Sequence, residues 1–101
     1  MLKLEVRGRI RKGTVKPREN DVLCIVDAHL DDTTETGREI SREVQLVVTH
    51  DKMDGRMLFE DTQVVAIGRP RIYSCRAGSD CSWLTGLRCV VDRAEHRIEF
   101  R

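Results

Sequence analysis

From residue 2 the chain alternates. Leu2, Leu4, Val6 and Ile10 fall on one parity, and Lys3, Glu5, Arg7, Arg9 and Arg11 on the other. That period of two is the pattern of a strand with one buried face. Gly8 interrupts the apolar parity. A glycine inside a strand weakens it, so its presence points to a bend or to close approach of another backbone. Residues 13–20 read as a polar loop, broken by Pro17 and closed by the run Glu19-Asn20-Asp21. A second strand over 22–30 sets Val22, Cys24, Val26 and Ala28 on one face, with Leu23 and Ile25 on the other. Residues 31–37 are rich in Asp, Thr and Gly and form a turn. The third strand carries Ile40, Val44, Leu46 and Val48, which completes a long hairpin.

Residues 50–61 abandon the alternation. Met53, Met57 and Leu58 stand at i, i+4 and i+5, a spacing that predicts a short helix, with neighbouring Phe59 plugging it against the strands. Strand character returns over 63–75 through Val65, Ile67, Ile72 and Tyr73, and Pro70 implies a bulge or an edge there. Residues 76–86 form a loop, and 87–100 form the last strand region, bulged at 92–96. Three strands, a short helix and two more strands is the order of an OB fold, a closed all-β barrel of five strands. The competing architectures are an open five-stranded antiparallel sheet and a small sandwich.

Composition then sets limits. A chain of 101 residues has room for one core, so residues 1–101 are expected to form a single domain. A net charge of +1 gives no global signature of nucleic-acid or membrane binding. No apolar run approaches the roughly 20 residues of a membrane span. The alternation starts at once, without the apolar stretch of a signal peptide, which points to the cytoplasm and to reduced thiols. Cys24 and Cys89 lie in strands and read as small buried hydrophobes. Cys75, Cys81 and Cys89 lack the tight CxxC spacing of structural zinc sites. Cys75 and Cys81 are near enough in sequence to meet as a disulfide, or to join His50 or His96 around a metal, but no metal or cofactor is expected. The three histidines read as surface residues, and the acidic group Asp31, Asp32 and Glu35 is explained by a hairpin turn. With no nucleophile motif and no glycine-rich phosphate loop, an enzyme is not expected.

Three segments carry a family resemblance. Leu4-Glu5-Val6-Arg7-Gly8-Arg9-Ile10 is similar to the first strand of bacterial single-stranded DNA-binding proteins. Asp61-Thr62-Gln63-Val64-Val65-Ala66-Ile67-Gly68-Arg69-Pro70 resembles their fourth strand. Cys89-Val90-Val91-Asp92-Arg93 with Arg97-Ile98-Glu99-Phe100 resembles their last. In size the chain resembles the related primosomal replication protein N type. The resemblance implies single-stranded DNA binding in replication, repair or recombination, by a homo-dimer or homo-tetramer. One departure matters: the family places base-stacking aromatics on its second and third strands, and this chain has none between Asp21 and His50.

Charge distribution bears on the same function. Seven cations stand among residues 1–18 against Glu5 alone, the middle is acidic, and arginines again predominate from Gln63 onward. An OB barrel pairs its first strand with its fourth and its fourth with its fifth, so the basic segments should form one basic side. The two loops that flank the OB binding face would carry Lys16 and Arg18, and Arg76 and Trp83, with Lys12 just before the first and Tyr73 just before the second. Single strands are held by cations on phosphates and flat rings on bases. Lys12, Lys16, Arg18 and Arg76 are therefore the expected phosphate contacts, and Tyr73 and Trp83 the expected stacking rings. Trp83 reads equally as a residue folded over a barrel end or buried between copies, and Tyr73 and Phe100 as core. The rival functions are a protein-interaction module, which the missing aromatics favour, and a structural subunit of a larger assembly.

Overall fold

A computed structural model describes residues 3–31, 39–74 and 85–100. These residues form β1 (Leu4–Ile10), β2 (Lys16–Pro17), β3 (Asp21–Asp31), β4 (Glu39–Thr49), α1 (His50–Met53), β5 (Gln63–Ser74), β6 (Thr85–Val91) and β7 (Arg97–Phe100). The sheet runs β1-β3-β4-β6-β5 and closes through a β1–β5 pairing. Every pairing is antiparallel except β4 with β6. β6 and β7 are two halves of one strand. The first pairs with residues 69–74 of β5 and the second with residues 64–67, and the expected bulge at 92–96 lies between them. The chain is thus the five-stranded OB barrel that its alternation implies, with β2 as a two-residue extension along the edge of β3.

The parities set the core. Register stacks Val22, Val48 and Val91 in one inward row, and Cys24, Leu46 and Cys89 in the next. Both rows are at least nine-tenths buried. Burial pushes the Cys24 thiol up to about 12 and that of Cys89 to about 11, so both are inert packing groups at neutral pH. Cys75 and Cys81 lie outside the described residues.

Two glycines occupy the corners where strands exchange partners. β1 pairs with β5 over residues 4–9 and with β3 over residues 8–10, so Gly8 has backbone on both edges. A Cβ there would overlap the carbonyl oxygen of Asp27 and stand 2.8 Å from Ala28 Cα. Gly68 ends the β1 pairing of β5, and the β6 pairing begins at Arg69. Its Cβ would overlap the carbonyl oxygen of Val90. Pro70 follows just past the last β1 pair, which fits the edge expected from its missing N–H.

The barrel base departs from expectation in one respect. α1 forms, but Phe59 is 62% exposed and plugs nothing. Met53 and Leu58 fill that role instead. The helix ends after a single turn at Asp54, whose left-handed backbone redirects the chain before a second turn can bring Met57 inward. Arg56 donates to the carbonyls of Lys52, Met53 and Ile98 and stacks its guanidinium 5.1 Å from the Phe100 ring. It thereby satisfies helix-end acceptors and covers a ring that packs, as expected, against the core. His96 is a second correction, since it is buried rather than on the surface. Its Nδ1 accepts the backbone N–H groups of Asp92 and Arg93 at 3.1 Å each, and this closes the bulge between β6 and β7.

Candidate nucleic-acid interface

The outward parity of β3 carries two apolar residues, Leu23 and Ile25, between Asp21 and Asp27. Leu23 and Ile25 face away from the core and are only partly covered. Register carries a row from Ile25 across Gln45 on β4 and Arg88 on β6 to Arg71 on β5. At the usual strand spacing of about 4.8 Å, this row spans about 14 Å. Residues 11–17 fold over one end of it. Arg11 donates its N–H to the Ile25 carbonyl at 2.8 Å, and Lys16 and Pro17 pair with Leu23 and Val22. Gly13 takes the positive φ of 79° that the turn requires. Thr14 Oγ1 donates to the Arg11 carbonyl at 2.7 Å and accepts from Ile25 N at 3.1 Å, which pins the loop to the strand.

Between loop and sheet lies an open-sided groove of about 240 Å³, lined by Gly13, Thr14, Lys16, Leu23, Ile25 and Gln45. Its floor is apolar, and Lys16 is the one cation among its lining residues. Lys12, Lys16 and Arg71 are exposed and have no ion-pair partner among the described residues. Of the expected phosphate contacts, Lys16 lines the groove and Lys12 sits on the same loop. Arg18 is engaged instead, holding Asp21 through two contacts of 2.5 and 2.9 Å. The side chain of Tyr73, and Arg76 and Trp83 entirely, lie outside the described residues.

The basic side is less charged than the sequence suggests. Arg7 pairs with Glu5, Arg9 with Asp61, and Arg69 with Asp92. Arg11 reaches across two strands to Asp27 and Glu43. The hairpin strands thus supply Arg11 with two carboxylates, while Arg7 and Arg9 are opposed by Glu5 on their own strand and by Asp61. Arg69 holds the Asp92 carboxyl below the usual carboxylate range. These pairings leave Lys12, Lys16 and Arg71 as the cations positioned to meet a polyanion on this face.

Leu23, Ile25, Gln45, Arg71 and Arg88 are residues of this candidate face that the sequence reading passed over. The alternation in β3 already showed Leu23 and Ile25 on the outer parity. Gln45 and Arg88 carry no local signal, because they meet only through the parallel β4–β6 pairing.

A second concavity of about 190 Å³ lies on the opposite side of the same loop. Val15, Pro17, Val22, Met53, Arg56, Met57 and Leu58 line it, beside exposed Met57 and Phe59. Its one cation, Arg56, is occupied by backbone carbonyls. Among the described residues, no group of three or more His, Cys, Asp or Glu is placed to hold a metal. No helix among them is long and apolar enough to cross a membrane.

No family model matches the chain, and no curated protein does. Among solved structures, the chain is similar to an SSB of Plasmodium falciparum in complex with ssDNA. The TM-score is 0.58 at 12% identity, covering 100% of this chain and 95% of that one. At that identity the likeness is one of fold alone.

Proposed function

We propose that this protein binds single-stranded DNA without catalysis, along the outer face of β3, β4 and β6 beneath the loop of residues 11–17. The observation that carries the reading is the groove itself: an apolar floor with Lys16 on its wall, Lys12 on the same loop and Arg71 on the same row, none with a carboxylate partner among the described residues. The likeness to an SSB bound to ssDNA supports it at the level of the fold. Leu23 and Ile25 offer branched aliphatic contact in place of flat stacking rings, so each base gains less than the about 1–3 kcal/mol of aromatic stacking. The affinity expected is therefore micromolar rather than nanomolar.

Fluorescence anisotropy with labelled oligo-dT tests this directly. Micromolar binding at low salt, with clear preference over a duplex of equal length, is the expected result. No binding to either at low salt overturns the proposal. A second reading, docking of a protein partner, is favoured by one observation, the exposed Met57 and Phe59 beside the apolar concavity. Replication, repair and recombination are the settings that a sequence-tolerant binder would serve, as a homo-dimer or homo-tetramer.

A further inference from the structure

The tip of the 11–17 loop is a tight turn with a donor to spare. Its closing bond runs from the Thr14 N–H to the Arg11 carbonyl at 3.3 Å, and the Thr14 hydroxyl donates to the same carbonyl. Gly13, inside the turn with its φ of 79°, leaves its own N–H outside that network. Turns of this kind present backbone N–H groups that hold anions. Here the N–H goes to Glu60 Oε1 at 2.9 Å, an exposed carboxylate 47 residues away. Glu60 makes no ion pair among the described residues, and neither does Lys12 beside Gly13.

A phosphate oxygen has the chemistry of that carboxylate oxygen: anionic, and an acceptor only. Gly13 and Lys16 both line the groove. A strand along the groove would bring a phosphate to the Gly13 N–H and to two unpaired lysines at once, whereas Glu60 answers the N–H and leaves both lysines unpaired. We infer that the Gly13 N–H is a phosphate site, flanked by Lys12 and Lys16, and that the Glu60 carboxylate occupies it until a strand displaces it. The inference rests on the DNA-binding reading above and adds an intramolecular competitor to it.

Glu60→Ala empties the site, whereas Glu60→Gln removes the charge and keeps an oxygen for the N–H. Oligo-dT should bind the Ala variant about 3-fold more tightly than the unaltered protein, the worth of one exposed hydrogen bond no longer exchanged, with the Gln variant in between. Inorganic phosphate is the second probe. In ¹⁵N spectra it should shift the Gly13 amide saturably in the Ala variant and far less in the unaltered protein. Weaker oligo-dT binding by Glu60→Ala, with the barrel intact by circular dichroism, overturns the inference and makes Glu60 a pin for the loop. Equal gains for Ala and Gln, matched by Glu19→Gln at an exposed acid outside the groove, also overturn it, by reducing the effect to net charge. A Gly13 amide that ignores phosphate in the Ala variant overturns it whatever the DNA result. If that shift appears while neither variant nor the unaltered protein binds oligo-dT, the DNA-binding reading falls and the phosphate site stands.

Discussion

Gly8→Val is expected to leave the chain largely unfolded at room temperature. The barrel closes only because β1 is shared between β5 and β3 at residues 8 and 9, with the Asp27 carbonyl against the Gly8 Cα. A side chain there meets backbone on β3, and no rotamer relieves an overlap at Cβ itself. Overpacking a core with side chains on both sides usually costs about 1–3 kcal/mol. An overlap with ladder backbone should reach about 4 kcal/mol or more. A domain of this length is stable by only about 5–15 kcal/mol. Gly13→Ala makes the contrast. Its positive φ disfavours a side chain, but nothing lies within 4 Å of the new Cβ, so the cost should be about 1 kcal/mol. Urea denaturation followed by far-UV circular dichroism measures both. Similar midpoints for the two variants would show that β1 is not pinned between two strands.

The largest functional effect is expected from removing the three cations at the groove and its row. Lys12→Ala, Lys16→Ala and Arg71→Ala together should weaken oligo-dT binding by at least about 30-fold at low salt. Each phosphate contact contributes about −0.7 to the slope of log K against log salt on a single strand, so the slope should flatten by about 2. The residues are exposed and make no ion pair among the described residues, so thermal stability should hardly move. Arg7→Ala with Arg9→Ala removes two cations already opposed by Glu5 and Asp61, and should change the slope much less. An equal effect from both sets would mean that binding follows net charge and not this face.

The barrel was largely legible in the chain because period-two alternation is a local signal. Gly8 stood out as an interruption, and it and Gly68 prove to be points of backbone contact. The residues that misled did so for local reasons too. Phe59 was placed by extending a helical period that Asp54 ends after one turn. His96 shows no burial signal in sequence, since its role is to accept two N–H groups within its own bulge.

The candidate face was legible only in part. Lys16 and Lys12 follow from loop position, but whether a cation is available depends on register. Arg11 looked like its neighbours until the hairpin brought Asp27 and Glu43 beside it, 16 and 32 residues away. Gln45 and Arg88 are 43 residues apart and meet through a parallel pairing that no turn announces. An ion-pair census needs the sheet, while a strand pattern needs only the sequence.

The most direct test is a map of where the strand lies. Amide chemical shifts of the ¹⁵N-labelled protein titrated with a short oligo-dT should move at Gly13, Lys16, Leu23, Ile25, Gln45 and Arg88, and stay still at Met57 and Phe59. Shifts confined to Val15, Met53, Met57 and Leu58, with the outer face of β3 and β4 silent, would contradict the account.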